Sequence, residues 1–386
     1  MSRKLRSTAL AAIAAAALGL SLIAASGPPA LAGDDHRGGG HGGGHHGDVR
    51  TVATGLDNPR QLSVGPGNRI YVAEAGVADA CEPIAGADPG FQVCGLTGAV
   101  TEVRRHGQRR VVTELPAMAL GEEVIGASDV VVRGNRIDVL IGGLSGATAF
   151  RDALPDEYSI LGTLRSDRLR WGGLEGDDLD LVADLVAFEV ANNPDGNQPL
   201  DSNAVGFASL GHGRWVVADA GGNSLVRVGR GGEHLVAAFP NGAPVPNPFE
   251  PGEVPPQAVP TDVAIGPDGA YYVSQLTGFP FPNGGSTIWR VTRDGQVSAY
   301  ATGLTLVTSL AWKGRTLYAV QHDDDNLLDG SYIGSLRRVT PGGSTHEAVV
   351  DGLSSPYGVA IQGRSAYVTI DSTSADIGSV IRVDLR

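Results

Sequence analysis

Short runs of β-branched and aromatic residues, each broken by a glycine-containing turn, dominate the chain from about residue 49 onward. One phrase of this kind recurs six times, and each copy reads as a strand, a tight turn and a second strand. The copies are QLSVGPGNRIYVAE (61–74), DVVVRGNRIDVLI (129–141), VGFASLGHGRWVVAD (205–219), DVAIGPDGAYYVSQ (262–275), SLAWKGRTLYAVQ (309–321) and GVAIQGRSAYVTI (358–370). The pattern predicts six antiparallel hairpins.

A second phrase follows most of the hairpins, as in STIWRVTRDGQVSAYATGL (286–304), and it too reads as strand, glycine turn, strand. Hairpin and second phrase together make a unit of four antiparallel strands, which is the blade of a β-propeller. We therefore expect an all-β fold, a six-bladed β-propeller. Inside the long insertion of the second unit, Leu181, Leu185 and Phe188 recur at helical intervals and predict a short helix near residues 181–190.

The two ends of the chain indicate how the ring closes. The last unit is one strand short, because it finishes with SVIRVDLR (379–386). The missing sequence stands at the start, where VRTVATGL (49–56) matches VSAYATGL (297–304) and HEAVVDGL (346–353). We expect this N-terminal strand to complete the sixth blade, which removes two exposed sheet edges at once.

The first 48 residues are predicted to lie outside the propeller. A basic start, an alanine-rich run and small residues at Ala30 and Ala32 predict an export signal over residues 1–32. A membrane anchor is disfavoured because the apolar run stops short of the roughly 20 residues needed to span. Residues 33–48 are rich in Gly and His and predict a disordered leader, whose imidazoles could hold a divalent metal only weakly. The propeller domain is expected over residues 49–386, in a secreted, extracellular protein.

The two cysteines and the net charge indicate which cross-link and which partners to expect. Cys81 and Cys94 are thirteen residues apart in a loop-like segment, and in an exported chain such a pair favours a disulfide over a metal site. The formal net charge is −13, and removal of a basic signal makes the remaining chain more acidic still. This charge argues against nucleic acid and against an anionic membrane as partners. We expect a monomer.

The long predicted loops gather on one face around the channel, where we expect a small-molecule or protein partner. Alignment of the hairpins places Glu74, Asp219 and Gln275 together at the end of the second strand, and such oxygen ligands suit Ca²⁺. A gluconolactonase-type hydrolase would use that ion to polarise a lactone carbonyl. Against this, two equivalent positions are Ile141 and Ile370. The alternative is that Asp219 hydrogen-bonds its own turn, as Asx residues do.

Several phrases resemble known propellers. ADAGGNSLVRV (218–228) resembles the NHL-type repeat, whereas DSNAVGFASL (201–210) and QLTGFPFP (275–282) resemble the ScyD/ScyE family of secreted propellers. The resemblance covers about residues 49–386. It implies a secreted six-bladed propeller and leaves the biochemical role open.

Three functions are weighed. The sequence contains no GxSxG elbow, HExxH helix, phosphate-binding glycine loop or EF-hand loop, so no catalytic constellation stands out and enzymatic activity stays an open question. The first hypothesis is a binding or scaffold protein. The second is a Ca²⁺-dependent hydrolase of the gluconolactonase type, and the third, a quinoprotein-like sugar dehydrogenase, rests on fold analogy alone.

Overall fold

The polypeptide folds almost entirely into short antiparallel strands. The computed structural model describes residues 49–84, 91–121, 123–143 and 151–385. The predicted signal and leader lie outside these residues. The predicted hairpins form as expected, and the turn glycines Gly134 and Gly314 take a φ of 61°, which a tight hairpin requires and other residues seldom adopt. A search of the described helices finds none long and apolar enough to cross a lipid bilayer.

Six four-stranded antiparallel sheets, counted over the described ranges, surround a central channel and form blades 1 to 6. Blade 1 consists of Pro59–Gly65, Arg69–Glu74, Gly98–Arg104 and Gly107–Leu115, blade 2 of Ala127–Arg133, Arg136–Ile141, Thr163–Arg168 and Asp180–Asp184, and blade 3 of Ala204–Ser209, Arg214–Asp219, Ser224–Gly229 and His234–Ala238. Blade 4 consists of Pro260–Ile265, Tyr271–Gln275, Ser286–Val291 and Val297–Leu304, blade 5 of Val307–Lys313, Thr316–Gln321, Ile333–Arg338 and Glu347–Ser354, and blade 6 of Val359–Gln362, Ser365–Ile370, Gly378–Asp384 and Val49–Leu56. The first strand of each series is the inner strand, which lines the channel.

The N-terminal strand closes the ring as predicted. Val49–Leu56 runs antiparallel to Gly378–Asp384, with Val49 opposite Val383 and Ala53 opposite Val380. The inner strand of blade 6 then packs beside the inner strand of blade 1. The sequence expectation of an all-β, six-bladed propeller closed by its first strand is confirmed.

Each boundary between neighbouring blades buries its own apolar cluster. The cluster between blades 2 and 3, for example, combines Leu140 and Leu164 of blade 2 with Phe207, Trp215 and Val217 of blade 3. A sheet that is apolar on both faces must be covered on both sides. Each blade therefore depends on its two neighbours, and an incomplete blade would expose apolar surface on both faces.

Insertions between the blade strands form additional secondary structure outside the six blades. An accessory four-stranded sheet, made of Glu82–Pro83, Phe91–Val93, Met118–Leu120 and Glu123–Ile125, lies at the loop end of blades 1 and 2. The Cys81–Cys94 disulfide joins its first two strands and confirms the predicted pairing. Leu174–Glu175 adds a parallel fifth strand to blade 1, and Val245–Pro246 pairs with Glu253–Val254 between blades 3 and 4. Short 3-10 helices span Pro66–Asn68, Asp156–Tyr158, Gly176–Asp178 and Leu327–Asp329.

The helix predicted at residues 181–190 exists, but its predicted start is wrong. Residues up to Asp184 form the outer strand of blade 2, and the helix spans Leu185–Asn192. Asp184 sets this boundary, because its side chain accepts a hydrogen bond from the Ala187 N–H and caps the helix.

Deletion of residues 33–55 tests the closure. Leu56 and Ala53 are buried by the pairing, and the burial lost with this strand is worth at least about 2 to 3 kcal/mol. We expect Tm to fall by at least about 5 °C, measured by differential scanning calorimetry. Deletion of residues 33–46 is the control and should leave Tm unchanged. Equal melting of the two variants would contradict the closure.

Candidate functional site

The three residues predicted as metal ligands lie in three different blades. Glu74, Asp219 and Gln275 end the second strands of blades 1, 3 and 4, and all three are buried. None of them lines the two channel cavities described below. Within the described part of the chain, no three His, Cys, Asp or Glu side chains form a group that could hold a metal ion. The predicted calcium site stays a prediction.

These side chains have a recurrent structural contact. At the end of the second strand, a carboxylate or amide oxygen accepts a hydrogen bond from a backbone N–H of the loop that enters the same blade. The pairs are Glu74 with Asp57 (2.8 Å), Asp219 with Asn203 (2.8 Å) and Gln321 with Thr305 (3.0 Å). Gln275 differs, because its Oε1 accepts from the Trp289 indole at 3.0 Å. The contact fixes the entry loops. Asp219 also accepts a hydrogen bond from the Gly222 N–H of its own turn at 3.0 Å, as the alternative interpretation expects.

Arg60 plugs the loop end of the channel. Its side chain donates to the carbonyl oxygens of Val124 (2.6 Å) and Ser372 (3.2 Å), and its guanidinium lies 5.1 Å from the centroid of the Tyr357 ring. The cavity beside it measures about 20 Å³. A space of this size holds roughly one water molecule. The mouth, where the sequence places the site, is therefore nearly closed.

The accessory sheet brings an acidic group to this plug. Glu123 lines the same small cavity, and its Oε2 is buried without a hydrogen-bond partner. Burial raises the pKa of Glu123 to about 8, against the opposing charge of Arg60. His322 is also buried, and burial lowers its pKa to about 4. At neutral pH a protonated Glu123 and a neutral His322 thus accompany Arg60.

The channel widens toward the hairpin end. A cavity of about 260 Å³, here called the channel chamber, is lined by inner strands of all six blades. Its walls include the small side chains Ser63, Val131, Ala264 and Ala311. Its polar groups include Gln61, Asp129, Asp262 and Ser309, and no Lys or Arg lines it. The larger of the two channel cavities is therefore acidic and lies opposite the long loops.

Asp129 and Asp262 also join neighbouring blades. Asp129 of blade 2 accepts a hydrogen bond from the Phe207 N–H of blade 3 at 2.9 Å. Asp262 of blade 4 accepts from the Leu310 N–H (2.8 Å) and the Ser309 hydroxyl (3.0 Å) of blade 5. Both carboxylates thus have fixed positions on the wall of the channel chamber.

The two carboxylates influence each other's protonation. Burial raises the pKa of Asp262 to about 6, and hydrogen bonds from Leu310 and Ser309 oppose the rise. Burial raises the pKa of Asp129 well above its ordinary value, and the charge of Asp262 adds to that rise. Two like charges near each other ionise in separate steps. Asp129 is therefore harder to ionise than an isolated aspartate.

Sequence reasoning missed this pair, although a signal was present. Asp129 and Asp262 are the first letters of two of the six repeat phrases, at the place that Gly206, Ser309 and Gly358 occupy in other blades. An alignment of the inner strands makes these positions equivalent, and two of them carry a carboxylate. The predicted ligands Glu74, Asp219 and Gln275 instead end the second strands, which lie one strand away from the channel.

Comparison with solved structures finds propeller-type proteins at low identity. One glucose dehydrogenase is 14% identical to this chain, with a TM-score of 0.48, and the match covers 88% of this chain and 100% of that one. A PQQ-bound aldose sugar dehydrogenase from Streptomyces coelicolor is 15% identical over 85% and 79% of the chains, with a TM-score of 0.36. Virginiamycin B lyase from Staphylococcus aureus is 10% identical over 88% and 99%, with a TM-score of 0.42.

The other comparisons leave the family open. No family model matches the chain, and no curated protein matches it. The resemblance to the ScyD/ScyE family therefore stays a prediction. The propeller architecture itself is shown by the sheets of this chain.

Proposed function

We propose that this propeller is a secreted binding protein whose channel chamber holds a small organic cation. The observation that carries the proposal is the placement of Asp129 and Asp262 on the wall of a chamber that no Lys or Arg lines. Buried carboxylates are costly unless a cation or hydrogen bonds compensate them. The protein supplies hydrogen bonds to both carboxylates but no cation on the chamber wall, and a cationic ligand would supply the missing counter-charge.

The contact made by Ser309 indicates that the carboxylates of Asp129 and Asp262 do more than join neighbouring blades. At the same place in blade 5, its neutral hydroxyl accepts the hydrogen bond from the Val359 N–H of blade 6 at 3.1 Å. A hydroxyl therefore joins two blades without any buried charge. The carboxylates of Asp129 and Asp262 make the equivalent contacts at a greater desolvation cost, which favours a ligand as their second partner.

The size and lining of the chamber suit a small ligand. Its volume of about 260 Å³ lies just below the roughly 300 to 1,000 Å³ of typical small-molecule pockets. Leu62 and Ile265 supply apolar wall, and the buried Trp312 Nε1 and Ser63 Oγ have no hydrogen-bond partner. A compact amine with an apolar body and a hydrogen-bonding group would satisfy all of these groups.

Asp262→Asn tests the proposal, with choline and benzylamine as probes in isothermal titration calorimetry. We expect the wild type to bind at least one probe at pH 7.5 and the variant to bind it at least 10-fold more weakly. Affinity of the wild type should also fall between pH 7.5 and pH 5, because protonation of Asp262, whose pKa is about 6, removes the negative charge.

Asp294→Asn is the matched control, because Asp294 is an exposed aspartate outside the channel chamber. The Asp294→Asn variant should bind the probe with the same affinity as the wild type. Wild-type affinity in Asp262→Asn, or no binding of either amine by the wild type, would overturn the proposal.

The Ca²⁺-dependent hydrolase is the second candidate, and one observation favours it. Glu189 of the helix is 1% exposed, its Oε2 has no hydrogen-bond partner, and this oxygen lies beside Gly222 in the turn that follows Asp219. Burial, together with the charges of Asp219, Asp195 and Asp201, raises the pKa of Glu189 to about 8. A calcium ion could replace the proton on Glu189. The turn adjoins Asn203, which lines the channel mouth.

Thermal melts with Ca²⁺ and with a chelator test this candidate. A bound ion stabilises only while its site survives, so Glu189→Gln should abolish any Ca²⁺-dependent rise of Tm, whereas Glu74→Gln should retain it. Loss in Glu74→Gln alone would instead favour the set of Glu74, Asp219 and Gln275. If the wild type melts equally with Ca²⁺ and with chelator, both calcium sites are wrong.

A further inference from the structure

A further cavity, separate from the two channel cavities, lies between blades 2 and 3 at the hairpin end of the propeller. Its volume is about 430 Å³, and its lining includes Arg133, Arg136, Arg230, Trp215 and Gly229. We call it the arginine cleft. Three arginines line this cavity in a chain of net charge −13, and among the described residues no acidic side chain lines it.

The carboxylate that contacts two of these arginines, Asp138, already has several hydrogen-bond partners. Asp138 is 1% exposed and accepts hydrogen bonds from Arg133 (3.2 Å), from the Trp215 indole (2.9 Å) and from the Ser166 hydroxyl, while Arg136 lies 3.6 Å from it. One buried carboxylate therefore orients two arginines. Three arginines thus line the cleft, and Asp138 contacts two of them.

The arginines remain available to a ligand. The side chains of Arg133 and Arg136 are 42% and 47% exposed, so each guanidinium has donors that face solvent. Arg168 lies opposite Arg136 on the next strand and adds a further positive charge at the edge.

We propose that the arginine cleft binds a small multivalent oxyanion, of the class formed by phosphate, sulfate and polycarboxylates. Guanidinium groups match such oxygens with paired, charge-assisted hydrogen bonds. A volume of about 430 Å³ falls within the range of roughly 300 to 1,000 Å³ that small-molecule sites occupy. The site is separate from the channel chamber and selects the opposite charge.

Calorimetric titration with citrate and with inorganic phosphate, at fixed ionic strength, tests the proposal. We expect the wild type to bind at least one of them and Arg230→Gln to weaken that binding at least 10-fold. Arg230 is the first choice because it lies outside the hydrogen bonds of Asp138, so its loss should leave Tm unchanged. Arg133→Gln should weaken binding as well, with a melting curve to show that the variant folds.

Arg315→Gln is the matched control, because Arg315 is an exposed arginine in the blade 5 hairpin, at the same end of the molecule but outside the cleft. It should retain wild-type affinity. Equal loss in Arg315→Gln and Arg230→Gln, or unchanged affinity in Arg230→Gln, would overturn the proposal. Binding of heparin without measurable binding of citrate or phosphate would also overturn it, in favour of an anionic polymer.

Discussion

The backbone pairing between Val49–Leu56 and Gly378–Asp384 holds the ring shut, and every feature of the channel depends on it. Six blades can enclose a channel only if the last inner strand lies beside the first. Side chains reinforce this boundary, because the Thr369 hydroxyl donates to the Arg60 carbonyl oxygen, and Arg60 donates to the Ser372 carbonyl oxygen. The plug at one end and the chamber at the other exist because the two ends of the chain meet.

The polar side chains that join neighbouring blades also line the channel. Polar side chains of the inner strands accept N–H groups from the next blade, and the same side chains determine the charge of the chamber. Where Ser309 does this, the wall stays neutral, and where Asp129 and Asp262 do it, the wall becomes acidic. The chain thus holds two cavities of opposite charge, since the arginine cleft lies outside the ring of inner strands.

Much of the fold was predictable because its signals are local or repeated. The hairpins follow from glycine turns between β-branched runs, and the match of VRTVATGL to later outer strands predicts the closure. The Cys81–Cys94 disulfide follows from two cysteines close together in one predicted loop.

The candidate sites were harder to predict because they depend on contacts between distant parts of the chain. Arg60 closes the mouth through carbonyls of residues 64 and 312 positions away in sequence. Glu123 comes from an accessory sheet outside the repeat, and the arginine cleft joins hairpins of two blades. Sequence alignment shows which positions are equivalent, but not which of them face a cavity.

Carboxyl ¹³C NMR titration of Asp129 and Asp262 tests the central claim most directly, with signals assigned from the Asp129→Asn and Asp262→Asn variants. An ordinary aspartate titrates near about 3.9. The acidic chamber predicts a midpoint near pH 6 for Asp262 and a midpoint well above the ordinary value for Asp129, and the Asp262→Asn substitution should lower the midpoint of Asp129. Two independent titrations near the ordinary value would contradict it.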